Sequence, residues 1–240
     1  MCGISGIIKN FISENEINDV VKMNLELSHR GPDLAKVTNN KNFVFGHTRL
    51  AILDLSERAN QPMVSKNQRY TIVYNGEIYN HNDIKKKLQL ENKFNCIGHS
   101  DTEILLNSIE VWGLKKTLSL IYGMYAFAIH DQKENKFYLV RDKIGEKPLY
   151  YTKQNKEIIF SSEIRPICSL KRFQKKLNLN QLSNYFKYNY IPSPHTIFEN
   201  VYKLNPGSII EIDGQNLNIK NEKYFDIKKT LTNKNNQKME

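Results

Sequence analysis

Apolar and polar positions alternate in short blocks along the 240-residue chain. From Cys2 to Lys9 the run CGISGIIK is dominated by small and β-branched residues and predicts a buried strand, ended by a polar Lys-Asn pair. Ser13 stands three residues before Glu16, and Ile17, Val20, Val21, Met23, Leu25 and Leu27 follow, which predicts a capped helix ending near His29. Strand-like stretches recur at residues 43–53, 70–74, 122–131, 137–141, 149–152 and 158–160, separated by Gly, Pro, Asn and Asp turn signals. Their short links imply mostly antiparallel pairing. Ser100 and Glu103 repeat the capping-box pattern and open a helix through Ile104, Leu105, Ile109 and Trp112 before Gly113; a further helix is expected over residues 180–189.

Helices and antiparallel strands that are interspersed, with neither segregated to one end, indicate an α+β fold. The last residues differ. From Lys228 onward the chain is almost entirely Lys, Asn, Thr and Gln, so we expect an organised domain at 2–225 and a linker or tail at 226–240. A hydrophobic content of 40% is ordinary for a globular protein, and no run approaches the roughly 18 apolar residues of a membrane helix. The first residues are too short and glycine-rich for a signal peptide, so the expected location is the cytoplasm.

Cys2, Cys96 and Cys168 are an odd, scattered set that suits a reducing compartment, and neither C-x-x-C nor H-x-x-x-H occurs, so no metal site is expected. The net charge of +10 raises nucleic-acid binding, yet the lysines are dispersed as doublets and one triplet, Lys85-Lys86-Lys87, which favours solvated surface.

Cys2 follows the initiator methionine, whose removal would leave a free α-amine beside a thiol. That amine has an ordinary pKa of about 7.7 to 8.0, so near neutrality part of it is unprotonated and able to accept the thiol proton. Nucleophile and base would then share one residue. Taken alone, Cys2 reads rather as a small buried hydrophobe near a chain end, and His47 as a Cys-His partner is a rival arrangement against the plainer reading of a core or turn histidine. Cys96 and Cys168 have no such amine and read as structural.

The motifs HRGPD at 29–33, GHTRLAILDLS at 46–56, QPM at 61–63, YNGEIYN at 74–80 and SDTE at 100–103 change that balance, with GMYAFAIHD, RDKIGEKPLYY and FSSE completing the series to Glu163. Together they resemble the glutaminase domain of the glutamine-dependent asparagine synthetases, class II glutamine amidotransferases of the N-terminal nucleophile hydrolase type. The resemblance covers most of the chain. It implies a four-layer αββα sandwich with two mostly antiparallel sheets. Glucosamine-6-phosphate synthases tend toward an HTRWAT-like segment and HNG, whereas HTRLAI and YNGEIYN match the asparagine synthetase group.

The resemblance implies roles that physical chemistry can rationalise. Cys2, Asn75 and Gly76 become the catalytic set, with the Asn75 amide and Gly76 N–H forming an oxyanion hole. Asn-Gly between strand-like flanks is also the strongest short hairpin signal, and the two readings are compatible if a turn aims the N–H. Arg49 would grip the α-carboxylate of glutamine through paired charge-assisted bonds, against the plainer reading of a surface ion pair. Asp101 would take the α-ammonium, its place in a helix's first turn helping to keep it ionised, against that of a simple cap. Glu77 would orient the substrate, or is an exposed strand carboxylate. Leu50, Ala51, Ile52 and Leu53 would line the pocket through backbone groups, their side chains being candidate core. Arg30 and Asp33 flank Gly31-Pro32 and are expected to fix a turn near the site. Leu34, where the family often has an acidic residue, and His130, where tryptophan is frequent, depart from the pattern.

The implied reaction is hydrolysis of glutamine to glutamate and ammonia through a Cys2 thioester, without a cofactor in this domain. The ammonia would serve ATP-dependent asparagine synthesis from aspartate. The family's Ser-Gly-Gly-x-Asp-Ser loop is absent from these residues, so ATP and Mg are expected only in a synthetase domain, in cis or as a separate chain. Partners are thus glutamine and that domain, with a homodimer compatible and neither nucleic acid nor membrane expected. Two alternatives remain open: an amidotransferase for another acceptor, such as a sugar or surface-polysaccharide precursor, and a non-catalytic glutamine-binding domain that keeps Met1.

Overall fold

The computed structural model describes residues 1–91, 93, 97–154, 156–228 and 230. Cys96 and residues 231–240 of the expected tail lie outside them. Strand β1 (Gly3–Lys9) runs through the middle of one sheet, between β3 (Phe43–Arg49) and β9 (Glu157–Ser161). A central strand covered on both faces takes small and apolar residues, which accounts for the CGISGII run, and its buried Ser5 hydroxyl donates to Asn24 Oδ1 at 2.9 Å. The sheet is completed by β2 (Leu34–Asn40), β8 (Tyr150–Gln154) and β10 (Val201–Lys203), in the order β10-β8-β9-β1-β3-β2. The second sheet has the order β12-β11-β7-β6-β5-β4. Its members are β4 (Met63–Val64), β5 (Tyr70–Ile78), β6 (Gly123–Asp131), β7 (Lys136–Arg141), β11 (Ser208–Asp213) and β12 (Ile219–Lys223). The named strand pairs are all antiparallel.

Three apolar clusters define the layers. Ile4, Ile8, Phe43, Phe45, Val73 and Phe160 fill the space between the sheets. Ile7, Val20, Met23, Val44 and Ile167 join the first sheet to α1 (Glu14–Glu26) and α5 (Ile164–Cys168). Ile72, Tyr74, Ile84, Leu105, Ile109 and Leu118 join the second to α2 (His81–Leu90), α3 (Asp101–Trp112) and α4 (Leu114–Leu120). The result is the αββα sandwich expected from the resemblance. No helix among the described residues is long and apolar enough to cross a membrane.

Local signals set several boundaries. The capping box at Ser13 and Glu16 is formed, and α1 gives way after Glu26 to turns through Leu27 and Arg30. At α3 only half the second box forms: Ser100 Oγ accepts from Glu103 N, but the Glu103 carboxylate turns outward to Ile97 N and Gly98 N. The last predicted helix is α6 (Leu179–Tyr188), capped by the Asn178 side chain and ended by Asn189 in the left-handed conformation. Strand β3 stops at Arg49 rather than continuing to residue 53; Ile52 and Leu53 are exposed on a loop, so they are not core. Strand β2 and helix α2 were not anticipated, because an edge strand tolerates Lys and Asn and the lysine triplet masks the apolar positions Ile84 and Leu88. Cys168 is half-buried, and burial pushes its thiol up to about 11, which suits an inert side chain.

His130 lies in the inter-sheet layer with Phe137 and Phe43, at ring-centroid distances of 4.5 and 4.8 Å. Its Nε2 is buried without a partner, and burial lowers its pKa from 6.5 to about 4. Protonation therefore favours the unfolded chain. The stability associated with a neutral His130 is complete above about pH 6.5 and declines toward pH 4, by roughly 3 kcal/mol at most. We predict that His130→Phe flattens the pH dependence of the urea midpoint between pH 7 and 4.5, while buried His47 preserves part of it. An unchanged slope would contradict this assignment.

Candidate active site

The period-two alternation that buries Ile4, Phe43, Phe45 and Val73 between the sheets carries Cys2, His47, Arg49 and Asn75 to one end of the same layer. Cys2 is held there by its backbone and its sulfur. Arg30 Nε donates to the Cys2 carbonyl at 3.0 Å, while Arg30 Nη1 pairs with Glu163 at 2.9 Å, and His29 meets the same carboxylate at 3.0 Å. Leu50 N donates to Cys2 Sγ at 3.4 Å and Sγ donates to Leu50 O at 3.7 Å. Burial pushes the thiol up, opposed by the Leu50 hydrogen bond, the terminal ammonium and Arg49. The rival Cys-His arrangement does not form. Buried His47 directs Nε2 to the Tyr74 carbonyl at 3.2 Å, and burial holds its pKa at about 3.

Asn75 and Gly76 lie within β5, in continuous register opposite Ala126 and Tyr125 of β6, so the hairpin reading is corrected: there is no turn. Tertiary pairing overrides the local Asn-Gly preference. Tyr74 N donates to Gln61 Oε1 at 2.6 Å and Ile78 N to Asp101 Oδ2 at 3.0 Å, so these amides leave β5 on the edge away from β6. Alternation sends Gly76 N–H from the same edge, between them. The opposing residue agrees: Tyr125 N and O both bond Asp142, on the β7 side. Asn75 Nδ2 is buried and has no partner among the described residues. A methyl group on Gly76 would overlap the Met124 carbonyl oxygen and come within 2.8 Å of Tyr125 Cα, so only glycine lets β6 approach this closely.

Arg49 is buried rather than a surface cation. Nη1 donates to Ser56 O at 3.0 Å and Asn60 Oδ1 at 2.6 Å, and Nη2 donates to Asp54 O, which folds the loop after β3 around the guanidinium. Nε–H and one hydrogen of Nη2 have no partner, and no carboxylate pairs with Arg49 among the described residues. Asp33 holds the same loop by accepting from Ala51 N at 2.7 Å, and Asp54 ties it to the approach of α3 through His99 N at 3.0 Å. Asp101, the first residue of α3, accepts from Tyr74 OH at 2.7 Å as well as from Ile78 N. The helix terminus does not dominate its ionisation: burial pushes the carboxyl above its ordinary value despite these bonds. Glu77 is half-buried at the rim.

One cavity of about 120 Å³ gathers Cys2, Arg49, Leu50, Ala51, Ile52, Leu53, Asn75, Gly76, Glu77 and Asp101, every residue named from the sequence as catalytic or substrate-binding. The profile of the glutamine amidotransferase domain family matches residues 1–225. The chain belongs to this family.

A Methanocaldococcus jannaschii protein bearing, in provisional form, the name asparagine synthetase (glutamine-hydrolyzing) 2 is 37% identical, covering 95% of this chain and 47% of its own. Asparagine synthetase (glutamine-hydrolyzing) 3 of Bacillus subtilis is 35% identical, over 94% of this chain and 38% of its own. The amidotransferase domain thus spans less than half the length of these relatives. Among solved structures, the glutamine phosphoribosylpyrophosphate amidotransferase of B. subtilis has the same fold, with a TM-score of 0.64 at 19% identity over 93% of this chain and 49% of that one.

The amidotransferase cavity also contains groups to which the sequence reading gave no role: Gln61, Tyr74 and Lys147. The QPM motif named Gln61 without explaining it, and nothing in the spacing announced the Tyr74–Asp101 bond. Among the described residues no cluster of three or more His, Cys, Asp and Glu side chains is arranged around a metal. Tyr74→Phe removes the hydroxyl donor to a buried carboxylate, so it should cost about 1–3 kcal/mol of stability. It should also move the Asp101 titration midpoint further up, read by carboxyl-carbon NMR. A midpoint that stays in place would show that the hydroxyl does not control this carboxylate.

Proposed function

We propose that this amidotransferase domain hydrolyses glutamine through Cys2 after Met1 is removed. The α-amine of Cys2 takes the Sγ proton, and the thiolate attacks the side-chain amide carbon. A carbon–sulfur bond forms as the carbonyl electron pair moves to oxygen, where Asn75 Nδ2 and Gly76 N–H stabilise the charge. Collapse breaks the carbon–nitrogen bond, the ammonium proton passes to the leaving nitrogen, and ammonia departs from a thioester. Water, deprotonated by the same amine, attacks the thioester through a second oxyanion, releasing glutamate and restoring the thiol.

The observation that carries this reading is the pair of donors without protein partners, Asn75 Nδ2 and the edge-directed Gly76 N–H, beside the seat of Cys2. The two unused Arg49 hydrogens suit an α-carboxylate, and Asp101 with Glu77 suits an α-ammonium. Burial raises the Asp101 carboxyl above its ordinary value, and a bound ammonium would pull it back down. The longer relatives named asparagine synthetase support a consumer of ammonia that makes asparagine from aspartate, with ATP and Mg held in a synthetase domain in cis or in trans. The domain would occupy residues 2–225, with 226–240 leading toward that partner, in the cytoplasm where Cys2 stays reduced.

The test is ammonia release from glutamine, with the N-terminus of each sample established by intact mass. Cys2→Ala and protein retaining Met1 should be inactive, and Asn75→Ala should lose roughly 10²–10³-fold in kcat, the usual consequence of removing one oxyanion donor. Full activity in Cys2→Ala, or with Met1 in place, would overturn the mechanism.

A further inference from the structure

Lys147, in the wall of the same cavity, is a buried cation with no anion bonded to it among the described residues. Its backbone is fixed by Asp142, whose Oδ1 accepts from Gly145 N at 2.6 Å and Glu146 N at 2.9 Å and whose Oδ2 accepts from Lys147 N at 2.9 Å. Arg141 Nε donates to the Lys147 carbonyl at 2.7 Å. From this rigid loop the side chain, 5% exposed, reaches the start of the chain and donates to Met1 Sδ at 3.0 Å. A thioether is a weak acceptor. No carboxylate pairs with Lys147 among the described residues. Leaving an ammonium buried in this way is costly, and removal of Met1 takes away even the sulfur.

Charges reach the terminus from several elements. Burial pushes the terminal ammonium of Met1 below its ordinary value, Cys2 opposes the shift, and Arg30 and Lys147 add to the lowering. Arg30 pairs with Glu163, whose carboxylate also meets His29, so part of the Arg30 charge is compensated. Glu77 on β5, Glu146 and Asp142 act on Lys147 from a distance without bonding it. Arg49 and Asp101 act on the Cys2 thiol rather than on the amine. Lys147 is therefore a cation near the terminus that no carboxylate bonds among the described residues, with Glu146, Asp142 and Glu77 offsetting its charge only from a distance.

Given the terminal-amine base proposed above, we infer that Lys147 is a positioning residue: its ammonium, held at the start of the chain against Met1 Sδ, keeps the α-amine of Cys2 unprotonated near neutrality once Met1 is gone. A base whose pKa lies close to the working pH combines availability with strength. The sulfur-directed contact in the chain bearing Met1 becomes an amine-directed field once Cys2 is first.

The experiment uses the whole chain with the terminus generated from one cleavable leader, so that wild type, Lys147→Met and Lys147→Arg all begin at Cys2. Two quantities are read against pH: kcat/KM for ammonia release, and the rate of α-amine acylation by isotope-labelled acetic anhydride, followed in the N-terminal peptide. Lys147→Met should raise both midpoints by about one unit. Its activity would then fall several-fold at pH 7 and recover above pH 9, whereas Lys147→Arg should keep the wild-type midpoints. An acylation midpoint unmoved in Lys147→Met overturns the inference, whether or not the rate falls uniformly. Should that variant not fold, Lys147→Gln reads the same midpoint. A wild type that releases no ammonia would end the glutaminase proposal, yet the acylation midpoint would still decide the role of Lys147.

Discussion

A chain terminus usually frays, and the nucleophile proposed at Cys2 would fray with it. Here Arg30 prevents this by donating to the Cys2 carbonyl while Glu163 anchors its other arm, and β1 continues directly into the centre of a six-stranded sheet. The other features of the site follow from that fixed start. Leu50 can meet the Cys2 sulfur because β3 pairs with β1 and ends one residue earlier, at Arg49. Asn75 can face the same space because the second sheet packs on the first across Ile4, Phe45 and Val73.

Around this start, the amidotransferase domain leaves polar groups incomplete where a substrate would complete them. Buried donors without partners are rare in folded proteins. Asn75 Nδ2 is one, and the Gly76 N–H and two Arg49 hydrogens join it at the same cavity. Each is held by groups that are satisfied: Gln61 and Asp101 fix the flanking amides of β5, and Asp33 and Asp54 fix the loop around Arg49. Such preorganisation lets donors act on developing charge without rearranging first.

Much of this was legible in the sequence where a local rule and the tertiary environment agree. The small and apolar run of β1 and the capping box of α1 are examples. The candidate site residues were legible as motifs, and all of them line one cavity. Where the two levels conflict, the tertiary level prevailed. Asn75-Gly76 signals a turn yet lies in a straight strand because β6 approaches closely at glycine. Leu50 to Leu53 look like strand, but Arg49 gathers the following carbonyls and bends the chain away. Asp101 gains from its helix terminus less than it loses by burial, which spacing does not reveal. Lys147 is silent in the sequence because its neighbour in space is Met1.

The central claim is that Cys2, freed of Met1, attacks a bound glutamine amide. Reaction with a diazoketone analogue of glutamine, followed by peptide mass spectrometry, addresses it most directly, because the adduct marks the atom that attacks. A single adduct on the sulfur of an N-terminal peptide beginning at Cys2, suppressed by excess glutamine, is the predicted result. An adduct on Cys96 or Cys168, or on a peptide that still begins with Met1, would contradict it.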